Sequence, residues 1–256
     1  MKKNTFWISS APRTGSMWLF NVTREILKIS GSDVLPKKIP QWDEEMLELY
    51  EKQAMYDQNE LNKYVLKLHT ILNPDLPRSK ILSTIRDPRD ICISFLEFMK
   101  TDFQTALKST KSIIKYSNTY NEYDKDYLKI IKYENIENKS IETVLEIAKF
   151  INCEIDYNLA KQISEKFNKD NVKKIINKNN NNLKFKIENK EKISESEIVY
   201  FSKTNYRSYD INTGFQTGHV SERKSGDWKK KFSSEEIEII NSEFKQFLIE
   251  NDYHYF

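Results

Sequence analysis

Cysteine is nearly absent. The chain of 256 residues contains Cys92 and Cys153 and no others. Two thiols cannot build a disulfide framework, so a reducing compartment is expected. No apolar run of roughly 18 residues occurs, so no membrane span is expected. The opening MKKNTFWISSAP is apolar only briefly before Pro12, too short for a signal peptide. A cytoplasmic protein is the expectation. An excess of either charge is also missing, with 41 Lys and Arg against 38 Asp and Glu. The net charge is +3, and no global field argues for a nucleic-acid partner. No internal repeat is present, and no carboxylate-rich cluster suggests a metal.

What is present is enough for a core. Hydrophobic residues make up 38% and charged residues 31% of the chain. Ile, Leu, Phe and Tyr are plentiful enough for one large domain, read here as spanning residues 1–256.

The order of elements predicts the fold. TFWIS (5–9) is continuous, apolar and β-prone, as a buried strand is. Trp18, Leu19, Val22, Ile26 and Leu27 then recur at helical spacing. YVLKLH (64–69) and SKILSTIR (79–86, between Pro77 and Pro88) read as strands. A helix is expected at about 89–100. DYLKIIKYENI (126–136) reads as a strand leading into a turn, and 140–151 and 157–168 as helices. Residues 177–197 are Asn-, Lys- and Glu-rich, and are read as a mobile insertion. Ser233 and Glu236 form a capping box ahead of an apolar stripe, Ile237, Ile240, Phe244 and Leu248. Alternating strands and helices predict an α/β domain with a central parallel sheet flanked by helices. Such sheets bind ligands at the carboxyl ends of their strands. The Ser10–Gly15 turn, His69 and the residues after Arg86 all fall there.

The stretch SSAPRTGSMW (9–18) is a strand, a turn and a helix start. Unpaired N–H groups and the helix dipole make such a junction an anion site. Gly15 allows close backbone approach, Thr14 and Ser16 add hydroxyls, and Arg13 adds a planar cationic fork. The Gly-Lys-Ser/Thr ending of an ATP- or GTP-binding loop is missing.

The loop resembles instead the 5′-phosphosulfate loop of sulfotransferases that use 3′-phosphoadenosine-5′-phosphosulfate (PAPS), typically Pro-Lys-Ser-Gly-Thr-Thr-Trp. Here Pro12, Arg13, Thr14, Gly15, Ser16, Met17 and Trp18 stand in that order. Arg replaces Lys, and Met17 replaces the second Thr. Three further segments match in the family's order. Arg86 ends a strand with Ser94 eight residues on, as in the 3′-phosphate segment. KYENI (132–136) resembles the Tyr-Glu-Asp/Asn-Leu strand end. SGDWKKKF (225–232) resembles the Gly-Asp-Trp-Lys-x-x-Phe element. One departure stands out: Ser221, Glu222 and Arg223 occupy the place of an Arg-Lys-Gly run.

The resemblance implies a P-loop-containing nucleotide-binding fold and transfer of a sulfuryl group to a hydroxyl or amine. It implies PAPS as cofactor, with 3′,5′-ADP as product and no metal. His69 in KLHT matches the family's base position, and imidazole chemistry suits it. Arg13, aided by Lys67, is expected at the sulfonate. The loop from Arg13 to Trp18 is expected around the 5′ end, with Trp18 beside the adenine. Arg86, Ser94, Arg223 and Lys224 are expected at the 3′-phosphate, with Glu222 an opposing charge. Trp228 and Tyr133 are expected to pack, and Glu134 to orient a neighbour. The sequence leaves open a small-molecule, lipid or saccharide acceptor, and the oligomeric state. Aromatic residues in 95–123 would line an apolar acceptor pocket or form core, and lysines at 108–115 would suit an anionic acceptor. The rival readings are a P-loop small-molecule kinase using ATP–Mg²⁺ and a non-catalytic nucleotide or polyanion binder.

Overall fold

A computed structural model describes residues 4–70, 79–201 and 205–253. Pro77 and His254 lie outside the described residues. Five parallel strands form one sheet in the order β2-β3-β1-β4-β5. They are β1 (Thr5–Ser9), β2 (Asp33–Leu35), β3 (Asn62–Leu68), β4 (Lys80–Ile85) and β5 (Leu128–Lys132). Every residue of β1 is buried, which explains its unbroken apolar run. A short antiparallel pair, β6 (Ile198–Tyr200) and β7 (Tyr206–Ser208), stands apart.

Helix α1 (Ser16–Ile29) buries Leu19, Phe20, Val22, Ile26 and Leu27. It packs on the sheet with α6 (Ser140–Phe150) and α7 (Tyr157–Lys166). This core also contains Trp7, Leu66 and Leu82. A second cluster joins Ile85 to α3 (Pro88–Met99), α4 (Phe103–Asn118), α9 (Ser234–Glu243) and α10 (Lys245–Glu250). Asp87 caps α3 through the N–H of Arg89, with Pro88 in the first turn. The Ser233–Glu236 capping box is present, but the helix it opens breaks at Phe244. Among the described residues no helix is long and apolar enough to cross a membrane.

Three local expectations change. The KYENI segment is not a turn: α5 (Tyr133–Asn138) begins directly after β5. Residues 177–188, read as part of a mobile insertion, are the second half of α8 (Lys169–Glu188). Its buried face is only Val172, Ile176 and Leu183, a stripe diluted by Asn and Lys. Finally, α2 (Asp43–Leu49) and β2 occupy stretches that carried no expectation, and α4 falls within the 95–123 stretch read as acceptor lining or core.

The ladder register builds the site. Ser9 pairs with Leu68, which sets Ser10 beside His69 one step beyond the strands. Ile85 pairs with Lys132, which sets Arg86 beside Tyr133.

Candidate active site

The carboxyl ends of β1, β3 and β4 open into a cavity of about 1110 Å³. Its floor is the Ser10–Gly15 turn. Arg13 and Gly15 both have positive φ, 69° and 102°, which lets the chain reverse sharply into α1. No side chain caps α1, and the Trp18 N–H turns back to the Gly15 carbonyl at 3.1 Å, which leaves the N–H groups of Ser16 and Met17 for a ligand. Ser16, Met17 and Trp18 line the cavity, with Trp18 also packed on the core. Thr14 does not serve the cavity. Its buried hydroxyl bonds the Ala11 carbonyl and Thr84 Oγ1, both at 2.6 Å, pinning the loop to β4.

Arg13 reaches across to α3. Its Nε donates to Ser94 Oγ at 2.8 Å, and its guanidinium lies 4.1 Å from the Phe98 ring centre. The Arg86 Nη1 donates to the Arg13 carbonyl at 3.3 Å, so both arginines border one cleft. Arg86 stacks 3.9 Å from the Tyr133 ring centre, and its buried Nε has no partner. Asp87 does not neutralise it, because the Asp87 carboxylate is taken by Arg89. Burial, with Arg86, Arg223 and Arg207 nearby, lowers the Arg13 pKa to about 10.

His69 and Lys67 meet at the other end. The His69 Nδ1 lies 2.8 Å from the Ser10 carbonyl, which requires the proton on that nitrogen. Its Nε2 therefore carries the lone pair and accepts from Lys67 Nζ at 3.0 Å. Burial is the main cause lowering His69 to about 3, reinforced by Lys67 and Arg13. Burial also lowers Lys67 to about 8, opposed by the Asp43 carboxylate.

The second basic wall is only partly assembled as expected. Lys224 lines the cavity, but Arg223 turns its Nε to Glu97 at 2.8 Å and leaves its buried Nη1 unpartnered. Glu222 is not a repelling neighbour: it pairs with Lys173 at 2.6 Å and is 87% exposed. Lys169, absent from the sequence reading, lines the cavity and donates to the Arg223 carbonyl at 2.8 Å. Trp228 is buried beneath Arg89, whose guanidinium is 4.1 Å from its ring centre. Gly226 N–H donates to Asp90 Oδ2 at 2.9 Å, bracing this loop on α3. Glu134 accepts from the Asp87 N–H at 3.1 Å and from the Tyr253 hydroxyl at 2.9 Å.

Two contributors carried no sequence signal. Asp43, from α2, accepts from the His69 N–H at 2.6 Å. His219 lines the same cavity, and the Gln216 N–H donates to its Nδ1 at 3.3 Å. Its Nε2 lies 2.8 Å from Gln216 Nε2. Tyr133, expected only to pack, is the platform for Arg86. An apolar stretch of the wall includes Ile39, Trp42, Phe98, Val199, Phe201 and Phe215, and polar residues such as Gln41, Glu44, Asn138 and Asp170 line the rest. From the 95–123 stretch, Phe95 and Phe98 line the cavity, whereas Tyr120 is core. Lys111 pairs outward with Glu243 at 2.8 Å.

The model of the Sulfotransferase domain matches residues 3–252. No curated protein sequence matches the chain significantly. Solved structures are similar in fold. A mouse sulfotransferase complexed with PAP has a TM-score of 0.63 at 13% identity, covering 97% of this chain and 84% of that one. A retinol dehydratase in complex with androsterone and inactive cofactor PAP has a TM-score of 0.59 at 14% identity, covering 97% and 81%.

Proposed function

The chain belongs to the sulfotransferase family, and from that membership we propose that it transfers a sulfuryl group from PAPS to an acceptor hydroxyl or amine. One observation carries this reading. Arg13 and Arg86 crowd one cleft, neither has an ion-pair partner among the described residues, and burial, reinforced by the neighbouring guanidiniums, lowers the Arg13 pKa. Cations held together against their own repulsion suit a multiply charged anion. PAPS, whose product 3′,5′-ADP is the PAP of the similar structures, supplies the activated sulfuryl group.

Each residue then has a task. The N–H groups at the start of α1 and the Arg13 fork hold the 5′ end. Arg86, Ser94 and Lys224 face the 3′-phosphate, and Arg223 joins them if it leaves Glu97. Trp18 flanks the adenine. Lys67 and Arg13 supply the positive charge that a sulfuryl transition state demands, so this reading needs no metal. His69 Nε2 takes the acceptor proton. In the free chain that lone pair is occupied by Lys67, and neighbouring cations keep the imidazole a weak base. An anion beside Arg13 and Lys67 offsets both effects: it draws the Lys67 ammonium to itself and raises the basicity of His69. Trp42, Phe98 and Phe201 favour an apolar small molecule or lipid over a saccharide.

A ligand melt tests the donor. Stabilisation by 3′,5′-ADP and not by ATP–Mg²⁺ is expected. The reverse result would assign the chain to kinase chemistry. Sulfuryl transfer from PAPS to a panel of phenols, aliphatic alcohols, amines and sugars then tests the acceptor. Transfer to none of them would leave a nucleotide binder.

A further inference from the structure

The His69 ring is anchored at one point already described, the Ser10 carbonyl on Nδ1. The second anchor is Asp43. Strand β3 ends at Leu68, so the His69 N–H lies past the ladder and goes to Asp43 Oδ2 at 2.6 Å. A carboxylate acceptor makes this bond stronger than one between neutral groups. Asp43 lies outside the segments that match the family's motifs. It is the first residue of α2, directly after Trp42 of the apolar wall.

Asp43 also sets the charge balance at Lys67. The groups facing Lys67 are His69, His219 and Asp43. Two of these are imidazoles, and Asp43 is the carboxylate among them. Glu44 follows on the exposed rim of the cavity. Without Asp43, none of these groups would carry a charge opposing the ammonium.

We propose that Asp43 is a positioning residue for the transfer step: it fixes the His69 backbone and keeps Lys67 charged, while tying the Trp42 wall to the base. This rests on the reading of His69 as the base. Two substitutions separate the effects. Asp43→Asn keeps a carbonyl acceptor and removes the charge; Asp43→Ala removes both. In Asp43→Asn, kcat should fall roughly tenfold, with the 3′,5′-ADP melt unchanged and the alkaline limb of the kcat profile moved to lower pH. Asp43→Ala should lose more, because the anchor goes as well. A role confined to packing would leave the alkaline limb where it is.

A measurement without turnover settles the charge claim. Lys67 Nζ is followed by ¹⁵N NMR against pH, assigned with Lys67→Arg, in the wild type and in Asp43→Asn. A lower titration midpoint in the variant supports the proposal, and an unmoved midpoint overturns it. If the wild type transfers no sulfuryl group to any acceptor, the functional reading fails, and the Lys67 midpoint still decides the part played by Asp43.

Discussion

Replacing Gly15 with alanine probes the anion loop at its tightest point. Gly15 has φ +102°, and an added Cβ would lie 2.9 Å from Tyr133 Cδ2 and 3.1 Å from Ile136 Cδ1. The left-handed backbone costs an L-residue about 1–2 kcal/mol, and overpacking adds about 1–3 kcal/mol. The sum, roughly 2–5 kcal/mol, corresponds to a melting temperature lower by about 5–20 °C in a chain of this size. Gly31 provides the control. It has φ +85° with nothing within 4 Å of the added Cβ, so Gly31→Ala meets the backbone term alone. The difference between the two variants therefore isolates the push on Tyr133. That ring lies 3.9 Å beneath Arg86, so moving it disturbs a guanidinium of the donor site. Thermal melts with and without 3′,5′-ADP measure both effects. Gly15→Ala should lose stability and ligand response together, whereas Gly31→Ala should keep its response. If Gly15→Ala melts like Gly31→Ala and responds fully to the nucleotide, the packing argument is wrong.

Three further outcomes follow from the same geometry. Arg86→Met should abolish most of the stabilisation by 3′,5′-ADP, which at a hundredfold excess over Kd is about 2.7 kcal/mol in the wild type; calorimetry reads the loss directly. Glu97→Gln frees Arg223, and nucleotide affinity should rise or hold; a fall would mean that the ion pair itself shapes the site. Below pH 6.5 the unfolded chain protonates histidines that the folded chain keeps neutral, His69 down to about 3 and His219 also well below its usual range. The unfolded state thus binds more protons there, and stability falls as the pH drops. His69→Gln should flatten that slope by at most about 2 kcal/mol between pH 6.5 and 5, as read from urea midpoints at each pH.

Much of the fold was legible because its signals are local. The apolar run of β1 and the capping box of α9 depend on neighbours within a few residues, and both are present. Helix α8 was obscured because its apolar stripe is three residues among asparagines and lysines. The break at Phe244 was invisible because the stripe continues in register across it.

The amino-acid order alone determined the strand–helix alternation, the anion turn with its glycine and arginine, and the placing of His69 and Arg86 after strands. Those are properties of short segments, set by side-chain period, backbone freedom and the unpaired groups at a helix start. Which distant groups share a hydrogen bond was decided only when the sheet closed. Asp43 reaches His69, Arg13 reaches Ser94, and Thr14 turns inward to Thr84 because strand register fixes where each element ends. Arg223 turned to Glu97 for a related reason: the nearest carboxylate in space, 126 residues away in the chain, leaves no trace in local pattern.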